Sequence, residues 1–210
     1  MTLAILPRLG YRFIAQAVTW SRPLRPWNDL LRNRSLNPRI AARLARDFWR
    51  AQIPPRRVGP QWAVAELNPS SPDAPVPTPE RGQGFVDFLN RCPIAHCVGF
   101  HILKSGRKVG WFSLVVGRAQ ARVAGLWLEE PTAENWRIAL NLAQTAALEK
   151  TKASEFLARC STEPSNIGAA QAGMHIAKRS PVLFRLRTGA EPPPLQYHFC
   201  DNDDAFLNIR

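Results

Sequence analysis

The chain has 210 residues, 45% of them hydrophobic, which suits one ordinary globular domain with an appendage, or two small domains. No stretch approaches the roughly 18 consecutive apolar residues of a membrane-spanning helix, and four cysteines in a chain this long do not read as the disulfide framework of a small secreted scaffold. The formal charge of +12 is unevenly placed: residues 1–60 carry twelve arginines against Asp29 and Asp47, while residues 61–210 carry sixteen basic and fourteen acidic residues.

That segment, 1–60, is therefore expected to make weak, salt-sensitive contacts with anionic surfaces or with a partner. The first twenty residues lack a compact apolar run followed by a small-residue cleavage site, so no secretory leader is expected and the reduced cytoplasm is the default location. An arginine-rich start with no acid before Asp29 also fits a mitochondrial transit peptide.

In chain order, residues 2–34 read as helical with interruptions at Pro7, Pro23 and Pro26, because Leu9, Phe13, Ala17 and Trp20 recur at helical spacing. Asn37-Pro38 predicts the cap and first residue of a clearer helix, with an apolar stripe Ile40, Leu44, Phe48, Ala51 and a basic stripe Arg39, Arg43, Arg46, Arg50. The basic stripe is either a nucleic-acid or lipid contact or a solvated face; no aromatic interleaving or nucleic-acid motif accompanies it. Gln61–Leu67 predicts a strand. Five prolines between Asn68 and Glu80 predict an extended linker or surface loop. Phe85 to Cys92 predicts a short helix, and Cys97–Lys104 a strand turned by Ser105-Gly106-Arg107.

Next come two apolar runs, Val109–Gly117 and Ala121–Leu128, about a turn Gly117–Gln120, which read as a hairpin. A helix is predicted over Ala133–Lys150, capped by Thr132, with Glu134 in the first turn where the helix dipole favours an anion. A strand follows over Glu155–Cys160, then a helix over Ser165–Ala172 ended by Gly173. Met174–Lys178 and Val182–Arg187 are predicted as two strands about Ser180-Pro181, and Leu195–Cys200 as a last strand.

Three stretches carry a resemblance. They are Gly106–Leu128 (GRKVGWFSLVVGRAQARVAGLWL), the helix entry Glu130–Trp136 (EPTAENW), and Asn166-x-x-Ala169 leading to Gly173-Met174. The ending Phe199–Leu207 (FCDNDDAFL) adds to them. In this order, residues 84–206 resemble the GNAT N-acetyltransferase superfamily, in particular the C-terminal GNAT-like domain of larger bacterial acetyltransferase-type proteins. The resemblance implies an α/β (α+β) fold, with a mixed, mostly antiparallel sheet and flanking helices. Ahead of it lies a basic helical segment. The expected division is a basic, mainly helical segment 1–67, a proline-rich linker 68–81 and a GNAT-like domain 82–210.

The resemblance further implies an acyltransferase acting on an amine, with acetyl-CoA or another acyl-CoA as donor and no metal. Donor phosphates would meet the helix start at Thr132 and Ala133, with Asn166 as a further cofactor contact. In the family, a loop of the form Arg/Gln-x-x-Gly-x-Gly/Ala opens this helix and presents backbone amides to the pyrophosphate. Here the position reads Leu128-Glu129-Glu130-Pro131-Thr132-Ala133-Glu134. It has no glycine, Pro131 has no amide hydrogen, and three glutamates oppose an anion. Weak or absent acyl-CoA binding is expected.

The remaining candidate residues each carry two readings. Glu129, at a strand end, is a general base or a capping, solvated carboxylate. Cys160 and Ser161 face a substrate cleft, or Cys160 is a buried free thiol. Asp201, Asp203 and Asp204 hold a cationic amine substrate or form a solvated acidic turn. Cys92, His96, Cys97 and His101 lack zinc-finger spacing, and strand neighbours point to opposite faces, so no metal site is expected. The function expected is that of an N-acetyltransferase-like protein. The alternative is a non-catalytic binding or regulatory lobe, or the accessory half of a two-lobed acyltransferase. The expected partner is a complementary GNAT lobe or a second copy, with no specific nucleic acid.

Overall fold

The computed structural model describes residues 11–28, 38–53, 56–67, 91, 96–117 and 119–184. The strands are β1 (Arg12–Pro23), β2 (Trp62–Glu66), β3 (His96–Lys104), β4 (Arg107–Val116), β5 (Gln120–Leu128), β6 (Glu155–Cys160) and β7 (His175–Phe184). The helices with these strands are α1 (Pro38–Gln52), α2 (Ala133–Lys150) and α3 (Glu163–Gln171). One seven-stranded sheet holds all the strands in the order β2-β3-β4-β5-β6-β1-β7. Every neighbouring pair is antiparallel except β5–β6, which is parallel. The fold class is therefore the mixed, mostly antiparallel α/β arrangement expected.

The expected N-terminal helix is corrected at Arg12–Pro23. This stretch is a strand, inserted between β6 and β7 with Trp20 opposite Ala158 on one side and Ile176 on the other. From Ala17 to Pro23 every residue is buried, and apolar–polar alternation is confined to the short stretch Val18–Ser21. The β-branched and aromatic run Val18-Thr19-Trp20 supplies the local strand preference. β2 is also part of the sheet through β3, so strands from residues 1–67 and from residues 82–210 share one hydrogen-bonded surface. The two strands expected about Ser180-Pro181 are one strand. β7 is the outer strand of the described sheet, and Pro181, opposite Gln16, is tolerated where one side needs no ladder donor. The strands expected over Gln61–Leu67, Cys97–Lys104, Val109–Gly117, Ala121–Leu128 and Glu155–Cys160, and the helices over Pro38–Gln52 and Ala133–Lys150, form as expected. The following helix starts two residues early, because Thr162 and Ser165 make a reciprocal capping box.

Local chemistry explains the joins. Ser105 and Gly106 have φ of 50° and 81°, and paired positive φ values are what a two-residue hairpin needs to match strand twist. At α2, Thr132 Oγ1 accepts from the Asn135 amide at 3.2 Å, as a capping threonine should. The helix lays Trp136, Leu140, Ala143 and Ala147 on Phe112, Leu114, Leu126 and Phe156 of the sheet. Fully burying a side chain such as Phe112 or Phe156 contributes on the order of 2–3 kcal/mol. Expected elements within 1–10, 29–37, 68–90, 92–95 and 185–210, including the short helix before Cys92 and the strand Leu195–Cys200, lie outside the described residues.

Candidate functional site

β5 and β6 begin as neighbours and then part. They pair at Gln120↔Glu155, Ala121↔Phe156 and Arg122↔Leu157, yet β5 runs on to Leu128 and β6 to Cys160. The β4–β5 register shifts between Ser113 and Leu114, where Val123 and Gly125 are the successive partners and Ala124 is the extra residue. Such a bulge bends and twists its strand. The result is a wedge that opens toward the C-terminal ends of two parallel strands. Beyond Arg122 and Leu157 the two strands no longer pair with each other.

The connection to α2 stands at the C-terminal end of β5. Its polar groups are largely satisfied within the connection. The Thr132 amide donates to the Glu130 carbonyl at 2.9 Å, and Asn135 Nδ2 donates to the same carbonyl at 2.9 Å. The first-turn amides of Ala133 and Glu134 remain at the helix end. Around them, Glu129 pairs with Arg107, whose Nη2 lies 2.8 Å from Oε2. Arg137 Nη2 lies 2.5 Å from Glu134 Oε1, and its hydrogen bond holds the Glu134 carboxyl below its ordinary range. Glu130 is exposed. The adjoining hollow, lined by Lys104, Arg107, Glu129, Glu130 and Asn135 among others, has a volume of about 40 Å³, room for about one water molecule.

The other predicted site residues are drawn into separate contacts. Cys160 ends β6 in the core and is fully buried. Burial pushes its thiol up to about 12, opposed in part by a hydrogen bond with Ser165. A thiol in that state is neither a thiolate nucleophile nor a base near neutrality. Ser161 follows it at a half-buried position. Asn166 Oδ1 accepts from Trp20 Nε1 at 2.9 Å, and Asn166 Nδ2 donates to the Thr162 carbonyl at 2.9 Å. Both ends of this amide tie α3 to β1 and to its own cap. Asp201, Asp203 and Asp204 lie outside the described residues. Among the described residues, no group of three or more His, Cys, Asp or Glu is arranged to hold a metal.

Sequence reasoning passed over several buried polar groups. Arg22 Nη1 donates to the Ala172 carbonyl at 2.9 Å and Nη2 donates to the Ile53 carbonyl, so one guanidinium joins β1 to the ends of α3 and α1. Asn141 and Gln144 are fully buried in α2. Gln144 Nε2 reaches the Ala172 carbonyl at 3.4 Å, whereas Gln144 Oε1 and both polar atoms of Asn141 have no partner among the described residues. Their one visible signal was position: polar residues set among the alanines and leucines of an otherwise apolar helix.

Comparison with known proteins adds the fold. No family model and no curated protein sequence matches the chain. Among solved structures, a GCN5-related N-acetyltransferase from Anabaena variabilis ATCC 29413 superposes with a TM-score of 0.50 at 8% identity, covering 86% of this chain and 42% of that one. This chain has the GCN5-related N-acetyltransferase (GNAT) fold. A GCN5-related N-acetyltransferase from Kribbella flavida gives a TM-score of 0.47 at 11% identity, covering 86% of this chain and 62% of its own. The chain thus spans less than half of the first GNAT neighbour and less than two thirds of the second. The resemblance read from Gly106–Leu128, Glu130–Trp136 and Asn166–Met174 agrees with this fold.

Proposed function

We propose that this chain is a GNAT-fold lobe that binds acyl-CoA weakly or not at all and serves as the binding or regulatory half of a two-lobed acyltransferase. The observation that carries this reading is the connection Glu129-Glu130-Pro131-Thr132. The residues there do not fit a pyrophosphate. Pro131 offers no amide, the Thr132 amide is spent on Glu130, and the Asn135 amide is spent on Thr132 Oγ1. Glu129, Glu130 and Glu134 surround the two amides that remain. A carboxylate roughly 6 Å from a phosphate charge costs on the order of 1–3 kcal/mol at an effective dielectric constant near 20. Arg107 and Arg137 offset much of the charge on Glu129 and Glu134, so Glu130, the missing amide of Pro131 and the amides already spent carry the argument against two remaining amide hydrogen bonds of roughly 1 kcal/mol each.

The wedge supports the other half of the reading. β5 and β6 stop pairing with each other after Arg122 and Leu157, and an extended segment of a companion lobe would dock at that parting. A companion lobe also agrees with the short span of the match on the Anabaena GNAT structure. The arginines of residues 1–60 would strengthen that association through charge, in the cytoplasm proposed for the assembly. No helix among the described residues is long and apolar enough to cross a membrane. Calorimetric titration of the purified chain with acetyl-CoA tests the proposal. Heats indistinguishable from dilution at sub-millimolar ligand are expected, and a low-micromolar dissociation constant overturns it.

A further inference from the structure

A second concavity lies at the other end of β6, away from the open mouth of the wedge. It has a volume of about 240 Å³ and is enclosed by α1 on one side and by the ends of β1, β6 and β7 on the other. Its polar lining is supplied by Ser21, Arg43, Arg46, Asp47, Glu155 and His175. The volume is several times that of a water molecule and below the ~300–1,000 Å³ of pockets for drug-sized ligands.

The two walls differ in charge. On the strand side, Glu155 Oε1 accepts from Ser21 Oγ at 2.5 Å and Oε2 accepts from Gln120 Nε2 at 2.8 Å. Two neutral donors fix this carboxylate in place, and no cation pairs with it among the described residues. On the helix side, Arg43 and Arg46 lie one turn apart and share Asp47. Arg43 Nε is 3.5 Å and Arg46 Nη2 3.1 Å from its carboxylate. Two cations against one anion leave a net positive wall, with most guanidinium N–H groups uncommitted among the described residues. His175 registers that field: burial first, then Arg50 and Arg46, push its pKa down to about 4, with Asp47 opposing them in part. Opposite charges thus face one another across a cavity without forming an ion pair.

We propose that this cavity binds a small zwitterion of amino-acid size, its ammonium on Glu155 and its carboxylate on Arg43 and Arg46. A simple anion would satisfy the arginines but meet Glu155 and Asp47. A simple amine would satisfy Glu155 but meet the positive wall. Only a ligand carrying both signs at short separation answers both walls. The site is independent of the acyl-donor reading, since it shares no residue with the start of α2.

The test uses the full chain and a panel of free amino acids, with acetate, ethylamine and inorganic phosphate as single-charge controls. Binding is read by thermal shift and by the NMR resonances of the His175 imidazole. At least one amino acid is expected to raise the melting temperature and shift His175, while the three controls at equal concentration do neither. Glu155→Gln, which keeps an oxygen for Ser21, and Arg43→Gln, at an exposed position, should each weaken binding tenfold or more. Should Glu155→Gln fail to fold, Arg43→Gln alone decides. The proposal is overturned if no amino acid binds, if a single-charge control binds equally well, or if binding survives Arg43→Gln unchanged.

Discussion

Replacing Gly168 by alanine sets local helix preference against tertiary packing, and the two predict opposite signs. Gly168 lies within α3. A Cβ there would stand 2.5 Å from Trp136 Cβ, 2.8 Å from the Ala133 carbonyl oxygen and 2.8 Å from the Arg137 nitrogen. Two of these three atoms belong to the backbone of α2 and cannot swing aside. Restoring ordinary carbon–carbon contact requires α2 and α3 to separate by about 1 Å, which forfeits much of the dispersion attraction along their interface. Helix propensity alone would make Gly168→Ala stabilising by about 1 kcal/mol. Forcing an extra methyl into a packed contact costs about 1–3 kcal/mol, and rigid backbone neighbours place this site at the upper end. The expected net effect is a loss of about 2 kcal/mol, or about 4–8 °C in Tm for a chain of this size. Urea unfolding followed by far-ultraviolet circular dichroism checks it, and the slope m should stay that of the parent chain. An alanine variant as stable as the parent, or more stable, would refute the claim that α2 and α3 touch through Gly168.

Cys160 supplies a pH prediction. Its thiol, near 12 in the folded chain, ionises near 8.5 once unfolded, so the unfolded state holds fewer protons above that pH and stability falls as pH rises through the interval. Between pH 8 and 10.5 the parent should lose about 2 kcal/mol more than Cys160→Ala, and parallel pH profiles of the two would remove the assignment; alkylation at pH 8 should also spare Cys160 until denaturant is added. For Arg22→Ala, the loss of a buried guanidinium that serves the Ala172 and Ile53 carbonyls should lower stability by about 2–4 kcal/mol. A change below about 0.5 kcal/mol would show that those carbonyls find other partners.

Local pattern in the sequence determined the middle of this protein. Strand-forming residues between glycine turns wrote β3, β4 and β5, and three-to-four-residue apolar spacing wrote α2, with its cap at Thr132. These signals are readable because each element is stabilised mainly by groups near it in the chain or by one apolar face turned to a core. The N-terminal strand carried no such mark. Phe13, Ala17 and Trp20 suggested one helical face, yet in β1 Ala17 and Trp20 take opposite sheet faces, and a register shift between Phe13 and Ala15 puts Phe13 out of step with Ala17. Its place is fixed by partners more than 130 residues away, as in Ser21 with Glu155 and Trp20 with Asn166. The candidate sites divide in the same way. The proposed unsuitability of Glu129-Glu130-Pro131 for a phosphate was legible, because amide and carboxylate chemistry travels with residue type. Tertiary structure alone decided that Cys160 is buried, that Asn166 is spent on Trp20, that β5 and β6 part after Arg122, and that Arg43 faces Glu155 across a cavity. Burial and juxtaposition depend on chain segments that only folding brings together, so no local stretch of sequence can encode them.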